Sequence, residues 1–190
     1  MKFLLIDAYD SFVYIIKNYI ERLQLNVDVI RCDELKFACL TEYHAIILGP
    51  GPGHPRECGY LDVIKYVEGK VPVLGICLGM QAIAEYYGVR VRPTLSRQHG
   101  KISKIENDKL GVFMGLPSRF NVTRYHSLIA ERDDFSESSL LQITATSLKD
   151  GHVMGVRHKN FCIEGVQFHP ESVTTEFGID MFRNFFLKAI

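Results

Sequence analysis

Cys77 is flanked by glycines two places away on either side, in the run Gly75-Ile76-Cys77-Leu78-Gly79, where an apolar strand-like stretch gives way to a helical one. This is the nucleophile-elbow pattern with cysteine in the place of serine. So sharp a turn holds its central residue in a strained backbone conformation, and side chains at the flanking positions would collide with neighbouring elements. The turn aims the sulfur at the N-terminus of the following helix, where unpaired N–H groups and the positive end of the helix dipole favour a thiolate. The N–H of Leu78 is then a candidate donor to an oxyanion. The competing reading is a buried cysteine in a tight turn.

A cysteine nucleophile needs a proton partner, and Phe168-His169-Pro170-Glu171 comes after the apolar run from Ile163 to Gln167. The proline keeps the backbone extended, so residues two apart project to the same side and the carboxylate can approach the imidazole. The imidazole can take the thiol proton and later hand it to a leaving amine, while the carboxylate fixes its tautomer. A histidine that satisfies its hydrogen bonds in a loop is the bland alternative. The loop Gly49-Pro50-Gly51-Pro52-Gly53 offers a third feature. Its glycines let a ligand touch bare backbone, and its prolines stiffen the loop. It is neither G-x-G-x-x-G nor a phosphate-binding loop, which argues against a nucleotide site. An ordinary rigid turn accounts for it equally well.

The elements that must position these groups can be read from hydrophobic periodicity. Lys2 to Asp7 reads as a buried strand, and Ser11 as the cap of a helix in which Phe12, Ile15, Ile16, Tyr19, Ile20 and Leu23 recur at helical spacing. Asn26 to Arg31 and Ala45 to Leu48 read as strands, and Leu61 to Glu68 as a helix stopped by Gly69. Val71 to Ile76 is a fourth strand, and Leu78 to Tyr87 a helix closed by Gly88. Strands alternating with helices imply a parallel sheet covered on both faces. From Val89 to Gln167 the helical signal fades. Leu140 to Thr146, Val153 to Arg157 and Phe161 to Gln167 read as short strands joined by turns, partly antiparallel. Thr175 to Lys188 returns to helix, with Phe177, Met181, Phe185 and Phe186 as a core-facing stripe. The expectation is an open, mainly parallel α/β sheet with helices on both faces and some antiparallel strands in the second half. Ligands of such sheets bind beyond the carboxyl ends of the strands.

Bulk properties narrow the function. A chain of 190 residues, 47% hydrophobic, can bury one sizeable core, so a single domain spanning 1–190 is expected. Lys plus Arg and Asp plus Glu both total 22, leaving no basic excess to draw the chain onto nucleic acid or an anionic membrane. No leader, cleavage pattern or uninterrupted membrane span stands out, and the expected location is the cytoplasm. Five cysteines without a C-x-x-C pair fit neither a disulfide framework nor a zinc site. No metal or organic cofactor is implied.

Taken together, the segments Asp7 to Phe12, Gly49 to Gly53, Gly75 to Gln81, Arg124 to Leu128 and Gln167 to Ser172 resemble the class I glutamine amidotransferases. The closer likeness is to component II of anthranilate synthase and of aminodeoxychorismate synthase, and it covers essentially the entire chain. It implies that Cys77 attacks the side-chain amide of L-glutamine to form a thioester and release ammonia. His169 would shuttle the proton and Glu171 would orient His169. Gly51, Pro52 and Gly53, with Leu78, would line the oxyanion side, while Gln81, Ser127 and Leu128 would hold the polar groups of the glutamine. The partner implied is a chorismate-using synthase component I, joined in a hetero-oligomer. The segments Gln98 to Lys101 and Arg124 to His126 look like those that the family places near that partner. Ala8 and Ile15 stand where asparagine is common, and Met80 where histidine is usual; the first two bear on partner contact. The rivals are a subunit dedicated to the folate branch, a superfamily member feeding another synthetase or hydrolysing γ-glutamyl compounds, and a non-catalytic partner-binding module.

Overall fold

A computed structural model describes residues 1–94 and 98–189. In the first half, β1 (Lys2–Asp7), β2 (Asn26–Arg31), β3 (Ala45–Leu48) and β4 (Val73–Ile76) are interleaved with α1 (Val13–Arg22), α2 (Tyr60–Val67) and α3 (Leu78–Tyr86). β1 runs parallel to both β2 and β3, and β3 parallel to β4. The second half supplies β5 (Val91–Pro93), β6 (Lys101–Asn107), β7 (Arg119–Arg124), β8 (Leu128–Ala130), β9 (Leu141–Ser147), β10 (Val153–His158), β11 (Ile163–Val166) and α4 (Gly178–Ala189). Among the described residues the main sheet has nine strands in the order β2-β1-β3-β4-β11-β10-β9-β6-β7, and β5 and β8 form a separate ribbon. β11 lies parallel to β4, and every pairing from β11 through to β7 is antiparallel. This is the α/β sheet expected from the sequence.

The strand period of two separates two cores. Phe3 and Leu5 of β1 face one side, joining Val13, Ile16 and Ile20 of α1 and Met181, Phe182, Phe185 and Phe186 of α4. Leu4 and Ile6 face the other, joining Tyr60, Val63, Ile64 and Val67 of α2 and Met80 and Ile83 of α3. The sheet is therefore covered on both faces.

Several local boundaries depart from expectation by one to three residues, and three of the departures have a visible cause. Helix α1 starts at Val13 without a side-chain cap from Ser11. The turn is tied instead by aspartates, since Asp10 N–H donates to Asp7 Oδ1 at 3.1 Å and Phe12 N–H to Asp10 Oδ1 at 2.8 Å. Its stripe is Val13, Ile16 and Ile20, while Ile15 is exposed. Strand β4 starts two residues later than expected because Val71 N–H closes the end of α2 and Pro72 has no N–H to offer a ladder. Helix α4 starts at Gly178 because Phe177 has φ 61°, in the left-handed region, and Thr175 is engaged elsewhere. Phe182, not Phe177, completes the stripe.

The contact that positions the chemistry is backbone on backbone. A Cβ on Gly75 would lie 2.5 Å from the Gly79 carbonyl, and one on Gly79 would meet the carbonyl oxygen of Leu48. Gly79→Ala should therefore lower the folding free energy by about 3 kcal/mol, from overpacking against a backbone that cannot yield. Gly88→Ala, with nothing within 4 Å of the added carbon but φ +86°, should cost only about 1–2 kcal/mol of left-handed strain. Urea midpoints of the two variants check this ordering, and equal losses would contradict it.

Candidate active site

Cys77 occupies the turn between β4 and α3 with φ 52° and ψ −100°. The strained elbow expected from Gly75 and Gly79 is thus formed. Cys77 N–H donates to Val166 O at 2.8 Å, which ties the elbow to β11. The buried thiol opens on a cavity of about 140 Å³ lined by Gly51, Pro52, Gly53, Cys77, Gln81, Tyr125, His126, Ser127 and Leu128. A larger cavity of about 470 Å³, bordered by Arg92, Glu131, Asp150 and His152, has neither Cys77 nor any other cysteine among the described residues of its wall. Of the expected binding residues, only Leu78 is missing from the cavity wall: its side chain is buried in the core beneath α3. What Leu78 can offer is its main-chain N–H, in the first turn of a helix, where no intrahelical acceptor exists. The glycine loop is held close, because a Cβ on Gly51 would meet Ala8 at 2.6 Å and Leu78 at 2.9 Å.

His169 and Glu171 converge on the same place. Nδ1 of His169 donates to Glu171 Oε1 at 2.6 Å, and both side chains are buried. His169 is anchored by its main chain, since its N–H donates to Thr123 O at 3.0 Å and its carbonyl accepts from Thr175 Oγ1 at 2.7 Å. Edge contacts from Phe12 and Tyr125, with ring centroids 5.3 and 5.1 Å away, close off the imidazole. Nε2 has no hydrogen-bond partner of good geometry, but Cys77 is its near neighbour. Burial alone would disfavour the imidazolium; Cys77 and Glu171 outweigh it and hold the His169 pKa well above its ordinary value. The arrangement can take a proton from the thiol at Nε2 while the carboxylate steadies the resulting charge.

Three buried polar residues, Gln167, Arg124 and His126, join this site although the sequence gave no catalytic or substrate-binding part to any of them. Gln167 donates from Nε2 to the Cys77 sulfur at 3.7 Å and accepts from Gln81 Nε2 at 3.0 Å. Gln81 Nε2 also donates to Leu128 O at 3.2 Å. Gln81 therefore meets the cavity with its Oε1, which has no partner among the described residues. Arg124 and His126 are buried, so within that expected contact segment only Tyr125 reaches the surface; His99, Gly100 and Lys101 are exposed. Ala8 and Met80 are likewise buried, which leaves Ile15 alone among the three departures on the surface. The one available signal for the missed residues was an unbroken strand pattern carrying Gln or Arg at an inward position. Among the described residues no cluster of three metal-ligating side chains occurs, and no helix is long and apolar enough to cross a membrane.

Comparison with known proteins gives concordant findings. A family model described as glutamine amidotransferase class-I matches residues 4–189. The anthranilate synthase component 2 of Pseudomonas putida is 43% identical over 192 residues, covering 97% of this chain and 96% of that protein. The aminodeoxychorismate synthase component 2 of Serratia marcescens is 41% identical over 188 residues, covering 96% and 97%. Among solved structures, a candidate GMP synthase subunit from Thermoplasma acidophilum superposes with a TM-score of 0.86 at 26% identity, over 100% of this chain and 94% of that one.

The buried imidazole of His126 generates a test of the electrostatics. Burial first, and the Arg124 charge second, push its pKa down to about 3. An unfolded histidine titrates at ~6.5, so the neutral ring stabilises the fold above that pH, and this contribution is lost as pH falls from there toward 3. Burial lowers His152 and His158 in the same direction. Nitrogen-edited NMR at about pH 5 should find His126 neutral and carrying its proton on Nδ1. A doubly protonated His126 ring in that NMR experiment would contradict the packing described.

Proposed function

This chain belongs to the class I glutamine amidotransferases, and from that premise we propose that it hydrolyses L-glutamine at Cys77 and passes the ammonia to a chorismate-using synthase component I. The observation that carries the reading is the convergence of Glu171, His169 and Cys77 beside the cavity, with the carboxylate 2.6 Å from Nδ1 and Cys77 close enough to raise the His169 pKa.

The steps are set by these positions. Nε2 of His169 takes the thiol proton as the sulfur attacks the side-chain amide carbon of glutamine. Charge gathers on the amide oxygen, which the N–H of Leu78 and the backbone of Gly51, Pro52 and Gly53 are placed to receive. The imidazolium returns its proton to the departing nitrogen, the C–N bond breaks, and ammonia leaves with a glutamyl thioester remaining on Cys77. Water then attacks the thioester with His169 again as base, releasing glutamate and restoring the thiol. Glu171 keeps Nδ1 protonated throughout, so that Nε2 is free to accept. Ser127, Leu128 and Gln81 at the cavity wall bind the amino-acid end of the substrate. No step requires a cofactor.

The names of the two relatives point to the receiving subunit. We place the chain as the glutaminase half of anthranilate synthase, acting in the cytoplasm as part of a hetero-oligomer. Service to aminodeoxychorismate synthase is the second reading, favoured by the 41% identity to the Serratia protein. A binding-only module is disfavoured because the nucleophile and its base are both in place.

Glutamate release, measured with and without a chorismate-using component I, tests the proposal. Activity should rise with the partner, and Cys77→Ser should abolish it. Glu171→Gln should lower kcat by about a hundredfold or more with little change in KM, because the wrong tautomer faces the thiol. A Cys77→Ser variant as active as the parent removes the mechanism. Co-purification with one chorismate enzyme and not the other decides the branch.

A further inference from the structure

Arg124 is among the largest fully buried side chains of the chain, and it is far from isolated. Its Nη1 donates to Asp150 at 2.9 Å and to Ser103 and Ser147 at 3.2 Å, and its Nη2 lies 2.9 Å from His152 Nδ1. The remaining donor, Nε, reaches His126 Nε2 at 2.9 Å. A guanidinium only donates, so that ring nitrogen must accept and the proton must sit on Nδ1. Nδ1–H in turn donates to Leu128 O at 2.9 Å. The same carbonyl oxygen takes the Gln81 amide, whose second proton goes to Gln167, whose own amide points at the Cys77 sulfur. Each member of this series has one orientation because its predecessor has one.

We propose that His126 is a positioning residue for the glutamine pocket: its ring, fixed in one tautomer by Arg124, pins the Leu128 carbonyl and through it the orientation of Gln81 and Gln167 beside the nucleophile. The inference rests on the glutaminase reading of the site. It assigns His126 a role through the pocket wall and none in proton transfer, because its Nε2 is directed into the core at Arg124. It also turns the Leu128 carbonyl into a structural acceptor, both of whose lone pairs are occupied, so that glutamine is met by Gln81 Oε1 and not by that oxygen.

Two substitutions separate this role from simple core support, because each keeps one half of the imidazole. His126→Asn retains a donor near the Nδ1 position and loses the acceptor for Arg124. His126→Gln retains a group near Nε2 and loses the donor to Leu128. Kinetics in the complex with component I, with thermal midpoints recorded alongside, should show His126→Gln raising KM for glutamine about tenfold, the effect of one lost hydrogen bond, with a smaller effect on kcat. His126→Asn should keep KM within about threefold of the parent despite the lower thermal midpoint of the two. The proposal is overturned by KM values that track thermal midpoint, or by parental KM in both variants. Should His126→Gln not fold, the KM of His126→Asn decides alone, with a rise of about tenfold counting against the idea. An inactive parent, or an active Cys77→Ser, would instead strike the glutaminase reading itself.

Discussion

The N-terminus of α3 lies against the ends of β3 and β4 with no room for a side chain between them. Gly75 and Gly79 are the positions where that contact is made, and a methyl group at either would enter a neighbouring main chain. Cys77, caught between them, has φ 52° because the chain must reverse within one residue to begin a helix so close to the strand it has just left. The strain is borne by the packing of two cores on either face of the sheet. Its result is a buried cysteine at the strand ends that also lines the cavity there.

The second constraint is the placement of β11. Among the described residues it is the only strand after α3 that pairs with β4, and it does so in parallel, residue by residue from Ile163 opposite Val73 to Val166 opposite Ile76. Two adjacent parallel strands end at the same edge of a sheet, so the segments that leave them are brought side by side. Cys77 and Gln167 thereby come into contact across 90 residues of chain. His169 and Glu171 lie in the next turn, anchored to β7 by the Thr123 carbonyl. The antiparallel extension thus holds His169 in place beside the elbow. It also carries the polar series from Arg124 that shapes the far wall of the cavity.

Much of this was legible in the amino-acid sequence, and the failures are instructive. The convergence of Cys77, His169 and Glu171 could be anticipated because each sits in a short local motif at the end of an apolar run, and the elements from β1 to α3 could be read from alternating periods. Gln167 and His126 could not be given roles in the pocket, because a polar residue beside a strand has the same local signature whether it faces water or a buried partner. Only the assembled sheet shows that Arg124, His126 and Gln167 are interior. Ser11 misled as a helix cap because Asp7 and Asp10 reach the same turn with stronger acceptors. Phe177 misled as a core residue because its spacing was helical while its backbone was left-handed.

The position of β11 also governs when the molecule can become itself during synthesis. Until residues 163–166 leave the ribosome, the edge of β4 has no partner, and the strands made in between can pair only with one another. The pairing that completes the sheet is also among the most distant in the chain, and such contacts form late. A nascent chain that already carries Cys77 therefore lacks His169, Glu171 and the strand that joins the two parts of the sheet. The unpaired β4 edge is in that interval a row of free backbone donors and acceptors.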